Sequence, residues 1–483
     1  MKRTARQVRG PWAGGLALVL LACGQGPAPA SDADTAADAA VTLPPWRREL
    51  PPASAMGPRR GLTPARGIIH LHSPYSHDAC DGEPRPVGGG VDEACLASLR
   101  AALCATRIDY AALTDHDDSM ADEDFATLFS ARADDELLTN PAGAPVASRM
   151  RCEDGHQVTI TVGAENELMP IMLDGHVAGD PAVRHTIYNG DTAAEAATFR
   201  AAGGLVWIPH SEQRTIEHLR AIGPDGMEIY QLHANLDPDI RRDFLGLSPS
   251  GAIEGVVQFA DTTPGGPEPD LALISFLAAS DNALGKWDQL LAEGRRVAGS
   301  AGTDAHENSF PIMMRDGERG DSYRRMLRWF GNIVLVTDPS SPAEVEAALA
   351  SGRVFVAFEL FGTPVGFDVS ATGVPGGQVE LGAEVSASAG VMLEVTVPTV
   401  FELPPELPVP TIRARVLRVD GAGTTEVAGG PGPTYQVPLD RPGAYRVEIL
   451  ITPRHLGPYL GFLGPELAER ELPWIYASPI YVR

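Results

Sequence analysis

Lysine is nearly absent from this chain, and positive charge is scarce overall. Lys2 and Lys286 are the lysines among 483 residues, and 38 Lys and Arg stand against 63 Asp and Glu, a formal net charge of −25. Nucleic-acid binding needs clustered Lys and Arg that neutralise phosphates, and this sequence does not supply them. We therefore expect a small-molecule substrate and no nucleic-acid partner.

Several catalytic signatures are also missing. The sequence contains no GxSxG serine nucleophile, no phosphate-binding P-loop and no dinucleotide-binding glycine pattern. The apolar run "LALVLLAC" near the N-terminus is too short to cross a bilayer. These absences leave metal-assisted hydrolysis as the mechanism to consider.

The N-terminus reads as a targeting segment. Four basic residues precede the apolar run, which ends at Cys23, and this order resembles a bacterial lipoprotein signal over residues 1–23 with Cys23 as the lipidated residue. The alternative is a secretory signal cut near Ala30. Residues 24–64 are rich in Pro, Ala and Asp, which favours a disordered tether. We expect an exported protein held at the membrane by its lipid anchor.

The remaining four cysteines fit an oxidising compartment. The leucine spacing of "DEACLASLRAALCATRID" predicts a helix on which Cys95 and Cys104 lie about half a turn out of phase and roughly 13 Å apart. That separation excludes a bond between them. We predict pairing of Cys80 with Cys95 and of Cys104 with Cys152; the alternative is four reduced thiols.

Seven short apolar runs recur between Gly67 and Asp338, most of them separated by helical or loop segments. They are "GIIHLHS", "YAALTDHD", "VTITVGAENE", "GLVWIPHSE", "GMEIYQLHA", "VAGSAGTDAHE" and "NIVLVTD". Such runs predict parallel strands covered by helices, in an α/β barrel or open sheet over residues 65–360. Period-two segments such as "IRARVLRV" predict a small antiparallel β-sandwich over residues 361–483.

Ionisable side chains close almost every one of these runs. Eleven of the twelve histidines fall between His70 and His306. Because the carboxyl ends of parallel strands meet at one mouth, we expect these side chains to converge there. Imidazole and carboxylate without cysteine favour zinc, manganese or iron, and the number of donors suits two or three ions. The candidate donors are His70, His72, His77, His116, Glu165, His210, Asp304 and His306, with His176 or His185.

The ordered motifs "HLHSPYSHD", "LTDH", "GAEN", "IPH" and "GTDAH" resemble those of the polymerase and histidinol phosphatase (PHP) superfamily over residues 66–359. The segments "GMEIYQ" and "LASGRVFVAFE" are similar to its carbaryl- and carbofuran-hydrolase-like branch. The resemblance implies a distorted seven-stranded (β/α) barrel with a metal cluster at its mouth. It also implies the ligand set described next.

By this resemblance, one metal is held by His70, His72, Glu165 and Asp304. Glu165 bridges to a second metal at His210, and His116 and His306 serve a third. The remaining ligand of the first motif is His77 or Asp81, and His176 resembles the intervening histidine more closely than His185 does.

Other polar residues near the motifs receive less specific roles. Glu228 either steadies a ligand imidazole or is an ordinary polar residue of the barrel. Asp115 is expected to support the site rather than to bind metal, and Arg214 is more simply a helix-surface residue than an anion clamp. Four histidines match no motif, so we expect ordinary structural or surface roles for them: His156, His218, His233 and His455.

These residues predict a metal-dependent hydrolase that uses a metal-bound hydroxide at a site of two or three ions. Asp304 would guide the proton of the hydroxide, and His306 or His210 would help the leaving group. A phosphate ester is the expected substrate. The alternatives are an aryl ester or carbamate hydrolase, and a non-catalytic envelope-binding protein in which metal serves only stability.

Overall fold

The computed structural model describes residues 43–82, 84–85 and 90–483. The predicted signal segment and Cys23 lie outside these residues. Twelve α-helices are present in the described part: α1 Glu93–Ala105, α2 Asp117–Met120, α3 Pro181–Tyr188, α4 Ala193–Ala201, α5 Ile216–Ile222, α6 Leu232–Leu236, α7 Pro238–Asp243, α8 Gly251–Phe259, α9 Asp281–Ala292, α10 Tyr323–Trp329, α11 Pro342–Ser351 and α12 Gly464–Leu467. No described helix is long and apolar enough to span a membrane.

The strands outnumber the helices. They are β1 Thr63–Ile68, β2 Tyr110–Leu113, β3 Glu136–Thr139, β4 Pro145–Arg151, β5 Gln157–Val162, β6 Met169–Ile171, β7 Leu205–Ile208, β8 Gly226–Gln231, β9 Ala298–Gly302, β10 Gly331–Val336, β11 Val354–Ala357, β12 Pro364–Val365, β13 Asp368–Val374, β14 Gly377–Glu380, β15 Glu384–Val385, β16 Met392–Thr396, β17 Thr399–Val400, β18 Thr411–Asp420, β19 Gly423–Gly430, β20 Thr434–Pro438, β21 Gly443–Thr452 and β22 Leu472–Val482. The fold is therefore mixed α/β.

The strands that carry the predicted motifs form two sheets. A large twelve-stranded sheet contains the run β11-β10-β1-β2-β5, and a four-stranded sheet has the order β6-β7-β8-β9. Backbone hydrogen bonds join the two sheets on both sides, from Leu173 N to Val162 O at 2.8 Å and from His72 N to Ala305 O at 3.2 Å. Among the described residues, the ladders do not run continuously around a closed seven-stranded barrel.

Not every predicted strand is parallel. β1, β2 and β5 pair in parallel, as do β7, β8 and β9. β10, the run "NIVLVTD", instead pairs antiparallel with β1 and with β11, which corrects the expectation. A continuous apolar run reports burial on both faces of a sheet and carries no information on strand direction.

The C-terminal strands do not form a separate body. β22 pairs antiparallel with β11 and β21, so that β18, β19, β21 and β22 extend the large sheet. The other four-stranded antiparallel sheet has the order β14-β13-β16-β20. Residues 44–483 form one compact unit, and the predicted division at residues 360/361 is not a structural boundary. The reason is that β11 offers an open edge, which the fully buried β22 covers.

The predicted tether also ends earlier than expected. Leu50, Ala53 and Met56 are buried, a short 3₁₀ turn spans Ala53–Met56, and β1 begins at Thr63. Residues 43–64 therefore belong to the folded body, held there by the buried side chains of Leu50, Ala53 and Met56. The Pro, Ala and Asp content of residues 24–64 as a whole predicted disorder, because a few buried apolar residues change an average composition little.

Helix α1 and two disulfides hold the loop that follows β1. The Asp92 side chain caps α1 by accepting from the backbone N–H of Ala94 and Cys95, at 2.9 and 3.0 Å. Cys80 is bonded to Cys95, and Cys104 to Cys152, which is the predicted pairing. The first bond fixes the end of the histidine-rich loop against the start of α1.

His455, one of the unmatched histidines, is a buried structural residue. Its Nε2 donates to the carbonyl of Phe361 at 3.0 Å, and its Nδ1 is buried without a hydrogen-bond partner. Burial lowers the pKa of His455 to about 4, so the imidazole is neutral in the folded protein at pH 7. A proton on Nδ1 would be a buried, uncompensated charge.

Replacement of His455 by Gln should therefore flatten the acid side of the stability profile. The unfolded chain binds a proton near pH 6.5 and the folded protein does not until about pH 4, so stability is lost as the pH falls through this window. We expect wild type to lose about 2–3 kcal/mol more than His455→Gln between pH 7 and 4.5. Urea denaturation at each pH measures this, and parallel profiles would contradict it.

Candidate metal centre

His70 and His72 lie immediately after β1, where the chain passes beside the residues that follow β9. Leu71 between them forms a parallel bridge with Ala305, so the two imidazoles point to the same side. Both imidazoles are fully buried. Their Nε2 atoms lie 3.3 and 3.0 Å from Oδ1 of Asp304.

Glu165 follows β5 and faces histidines with both of its oxygens. Its Oε1 is 3.1 Å from Nε2 of His210, and its Oε2 is 3.3 Å from Nε2 of His116. The same carboxylate lies 3.7 Å from Nε2 of both His70 and His72. A carboxylate in this position can bridge two cations.

Asp304 also faces the cluster with both of its carboxylate oxygens. It follows β9 with φ of 46°, and His210 follows β7 with φ of 47°, both in the left-handed region that non-glycine residues rarely adopt. Oδ2 of Asp304 accepts from Nε2 of Gln231 at 3.0 Å and lies 3.1 Å from Nδ1 of His233. Left-handed backbone after β7 and after β9, on either side of β8, turns both side chains into one space.

The described residues contain four groups of donor atoms with all atoms within 4.8 Å of one another, and three of them lie here; the fourth, Glu268, Asp270 and Asp316, shares no residue with these three. The three groups are His70, His72, Glu165 and Asp304; His72, Asp78 and His116; and His210, His233 and Asp304. His72 belongs to two of the groups and Asp304 to two. The described side chains of these three groups therefore form one connected cluster of metal-capable donors.

Surrounding acceptors fix which ring nitrogen faces the cluster. Nδ1 of His70 donates to Oε1 of Glu228 at 2.6 Å, and Oε2 of Glu228 accepts from the backbone N–H of His210 at 2.9 Å. Nδ1 of His116 donates to the carbonyl of Glu165 at 2.7 Å. Each contact orients Nε2 inward, the arrangement usual for metal-binding imidazoles. Of the two interpretations of Glu228, the contacts support the steadying one.

Asp115 supports the same loop without facing the cluster. Its carboxylate accepts from the backbone N–H and the hydroxyl of Ser73 at 2.6 and 2.7 Å, and burial raises its pKa to about 6. Arg214 forms an ion pair with Glu167 at the surface, which agrees with the simpler expectation for it.

Protonation and charge in the cluster are strongly coupled. Burial works against the protonated form, yet the neighbouring carboxylates raise the pKa of His70 and His72 well above the ordinary value. Burial alone would raise the pKa of Glu165 and Asp304, but the imidazoles hold both well below the usual range. The ionised form of these buried carboxylates is therefore stabilised by positive charge beside it.

The side chains present fit divalent cations. Nε2 of His70 and Nε2 of His72 are buried and make no hydrogen bond, although both point at carboxylate oxygens. A buried polar atom without a partner is costly, and coordination to a cation would satisfy both nitrogens and carboxylates at once. The donor set contains only imidazole and carboxylate, which suits zinc, manganese or iron.

Two members of these groups were not among the predicted ligands. Asp78 lies with Oδ1 3.3 Å from Nδ1 of His72 and Oδ2 3.2 Å from Nε2 of His116. His233, expected to be structural, lies beside Asp304 and His210. Asp78 adjoins the predicted His77 and could have been found there. His233 lies two positions after the end of β8, and the other predicted ligands also follow strand ends, so this position could have identified it.

Other predicted ligands lie outside the three groups. His77 is exposed and its ring stacks on that of His116, with centroids 5.0 Å apart. Asp81 pairs with Arg319 at the surface, away from the three groups, and the choice between His77 and Asp81 stays a prediction. Nε2 of His306 is 3.9 Å from Oδ1 of Asp304, which places His306 at the edge, and burial lowers its pKa.

His176 and His185 are engaged elsewhere. Nε2 of His176 donates to the carbonyl of Glu123 at 2.8 Å, and its Nδ1 lies 3.2 Å from the hydroxyl of Tyr188. The ring nitrogens of His185 lie 2.9 and 3.1 Å from carboxylates of Asp117 and Asp122. Both nitrogens of each ring are thus engaged by other groups, and neither histidine belongs to the three donor groups.

Removal of Asp304 should empty the centre of metal. Asp304→Ala takes a carboxylate from two of the three groups. Loss of a residue that only hydrogen-bonds a metal ligand already weakens metal binding about 10–100-fold. We therefore expect Asp304→Ala to bind divalent metal at least about 100-fold more weakly. Elemental analysis of protein purified without chelator measures this. Asp81→Ala, which alters an exposed carboxylate, should keep the wild-type content; full content in Asp304→Ala would refute the assignment.

Comparison with known proteins gives distant structural likeness only. No family model matches the chain, and no curated protein matches it. A two-domain protein from Bacteroides vulgatus containing a predicted PHP-like metal-dependent phosphoesterase is similar, with 11% identity and a TM-score of 0.34, over 89% of this chain and 100% of that one.

Two further solved structures show the same degree of likeness. The lesion-specific endonuclease PfuEndoQ from Pyrococcus furiosus has 11% identity and a TM-score of 0.30, over 60% of this chain and 56% of that one. PsfC from Pseudomonas syringae has 10% identity and a TM-score of 0.31, over 61% and 91%. Likeness at this level says little about chemistry, so the chain's own side chains must carry the functional conclusion.

Proposed function

We propose that this chain is a metal-dependent hydrolase of the PHP type whose most favoured substrate is a phosphate ester. The observation that supports this is the connected cluster of three donor groups sharing His72 and Asp304. Sites with adjacent cations are typical of phosphoryl chemistry, in which both the attacking and the leaving oxygen need stabilisation. A single isolated ion would need far fewer donors.

The proposed ligand sets follow the three groups. His70, His72, Glu165 and Asp304 would hold one ion, and Asp304 is shared with the set of His210 and His233. Oε1 of Glu165 lies 3.1 Å from Nε2 of His210 and could bridge to that set. Asp78 and His116 complete the third set together with His72. Bound divalent ions lower the pKa of coordinated water towards neutrality and polarise the ester oxygen under attack.

The protein's own residues have three tasks in this proposal. Glu228 holds the proton on Nδ1 of His70, so that Nε2 stays a donor of electrons. Gln231 donates to Oδ2 of Asp304 and fixes that carboxylate. His306 stands at the edge with Nδ1 3.0 Å from the hydroxyl of Ser309, placed to hydrogen-bond the leaving group.

We propose that the two sheets together are a distorted form of the (β/α)7 barrel. The strand ends of β1, β2, β5, β7 and β9 all deliver side chains to the cluster, as the mouth of such a barrel does. The hydrogen bonds between the sheets on both sides support this arrangement.

The activity is tested with a matched pair of glutamates. Glu165→Gln removes a carboxylate from the cluster, whereas Glu167→Gln alters one that is 52% exposed and pairs with Arg214. On metal-reconstituted protein we expect kcat/KM for p-nitrophenyl phosphate or its diester to fall about 1,000-fold in Glu165→Gln, because several kcal/mol of stabilisation are lost. Glu167→Gln should stay near wild type.

A substrate panel decides between the enzyme classes. Turnover of p-nitrophenyl acetate or an aryl carbamate without turnover of phosphate esters would favour the carboxyl ester alternative. No turnover of any ester by metal-loaded protein would leave a binding protein stabilised by metal. Equal activity of both glutamate variants would remove the cluster from the mechanism.

We propose further that the protein is exported and lipid-anchored through Cys23. The two disulfides support export, because such bonds persist in oxidising compartments. Expression in a bacterial host with labelled palmitate should give a labelled membrane fraction for wild type and an unlabelled protein for Cys23→Ser. Label retained in Cys23→Ser, or absent from wild type, would contradict the proposal.

A further inference from the structure

Lys286 contacts the chain immediately after one of the proposed metal ligands. It and Lys2 are the two lysines of the sequence. Lys286 lies in α9 and is half-buried, and its Nζ donates to the backbone carbonyls of Ser211 and Glu212, at 2.9 Å in each case. Both carbonyls belong to the segment that directly follows His210. We call residues 210–213 the His210 turn.

The His210 turn has few backbone hydrogen bonds of its own. Ser211–Gln213 is a single 3₁₀ turn, in which the N–H of Gln213 donates to the carbonyl of His210 at 2.9 Å and that of Arg214 to the carbonyl of Ser211 at 3.2 Å. Such turns have poorer hydrogen-bond geometry than an α-helix. Ser211 and Glu212 are both buried, so their carbonyls need partners within the protein. The ammonium of Lys286 gives both carbonyls a charged donor, which bonds more strongly than a neutral one.

Strand β8 holds the turn from the other side. The backbone N–H of His210 donates to Oε2 of Glu228 at 2.9 Å, and the hydroxyl of Ser211 donates to the backbone carbonyl of Glu228. The turn is therefore bonded to β8 through Glu228 and to α9 through Lys286. These bonds keep His210 at its φ of 47°, a conformation that costs a non-glycine residue free energy.

The imidazole of His210 depends on this backbone more than that of His70 does. Nδ1 of His70 donates to a carboxylate at 2.6 Å, which orients the ring. Nδ1 of His210 is buried without a hydrogen-bond partner among the described residues, and Oε1 of Glu212 lies 3.6 Å from it, too far for a hydrogen bond. The position of Nε2 of His210, 3.1 Å from Oε1 of Glu165, is therefore set mainly by how the turn is held.

Helix α9 is itself fixed on two sides next to Lys286. Nε1 of Trp287 donates to the carbonyl of Val297 at 2.9 Å, and the carboxylate of Asp288 accepts from Arg446 of β21 at 2.8 and 3.0 Å. Burial lowers the pKa of Lys286 to about 8, so its ammonium remains protonated at pH 7. A charged donor on a fixed helix is suited to hold a short turn in one position.

We propose that Lys286 is a positioning residue of the metal centre, which holds the His210 turn so that Nε2 of His210 reaches the cation of the group formed with His233 and Asp304. Lys286 touches neither the cation nor the substrate and acts through His210. The inference rests on the metal centre of the proposed function, because it needs a cation at this group. Residues that only orient a ligand contribute measurably to metal affinity, and Lys286 does so through the backbone.

The test measures binding of cobalt(II) to the full chain after its metal has been removed by a chelator. Competition with a chelating dye gives the affinity, and the visible absorption of bound cobalt(II) reports its ligands. We expect Lys286→Met to bind one equivalent about 10–100-fold more weakly than wild type, the same equivalent that His210→Ala loses. Lys286→Arg keeps the charge and should restore most of this affinity. Gln289→Met, at an exposed position of the same helix, should bind as wild type does.

A double variant separates positioning from general support of the fold. Because Lys286 acts through His210, Lys286→Met should not weaken cobalt binding further when it is added to His210→Ala. Additive losses in the double variant would overturn the inference. Lys286→Gln, which is shorter and neutral, should show the same loss as Lys286→Met and provides the measurement if Lys286→Met fails to fold.

Failure of this inference and failure of the proposed function give different results. Wild-type cobalt affinity in both Lys286→Met and Lys286→Gln would overturn the inference and leave the hydrolase proposal intact. The expected loss in these variants, together with no turnover of any ester by wild type, would support the inference and contradict the hydrolase proposal. No cobalt binding by wild type would overturn both.

Discussion

The burial of carboxylates among histidines is the constraint on which the rest of this structure depends. Glu165, Asp304 and Glu228 are each no more than 7% exposed, and a buried anion is tolerated only beside compensating positive charge. The surrounding imidazoles supply that charge when protonated, and divalent cations supply it more completely. Metal binding and the stability of this part of the fold are therefore coupled.

The fold places compensating imidazoles beside these carboxylates by bringing several strand ends together. His70 and His72 follow β1, and the chain turns through left-handed backbone at His210 and Asp304 to aim both side chains at the cluster. Strain of this kind persists only where the surroundings over-determine the conformation. The bond between Cys80 and Cys95 fixes the loop that carries Asp78, so the donor group of His72, Asp78 and His116 is tied to α1.

The same physical rule gives two different outcomes elsewhere in the chain. The buried Arg66 and Glu359 satisfy each other through two hydrogen bonds and link β1 to the segment after β11, where β22 continues the sheet. Arg328 shares its carboxylate with other cations: Oδ2 of Asp270 lies 3.8 Å from Nε of Arg328 and also accepts from Arg324 at 3.0 Å.

The sequence by itself determined the α/β class, the helix α1 and both disulfide pairs, because apolar periodicity and motif spacing are local properties. It also singled out His70, His72, Glu165 and Asp304, which the fold brings into one group. Only the tertiary structure decided the direction of β10, the continuation of the large sheet through β22 and the packing of residues 43–64 against the folded body. These features depend on which strand edge or apolar surface is left open by the rest of the chain. The tertiary structure also added Asp78 and His233 to the donor groups around the predicted residues, whereas His176 and His185 are hydrogen-bonded or paired elsewhere. This outcome depends on where a side chain points after the chain has turned, which spacing along the sequence does not encode.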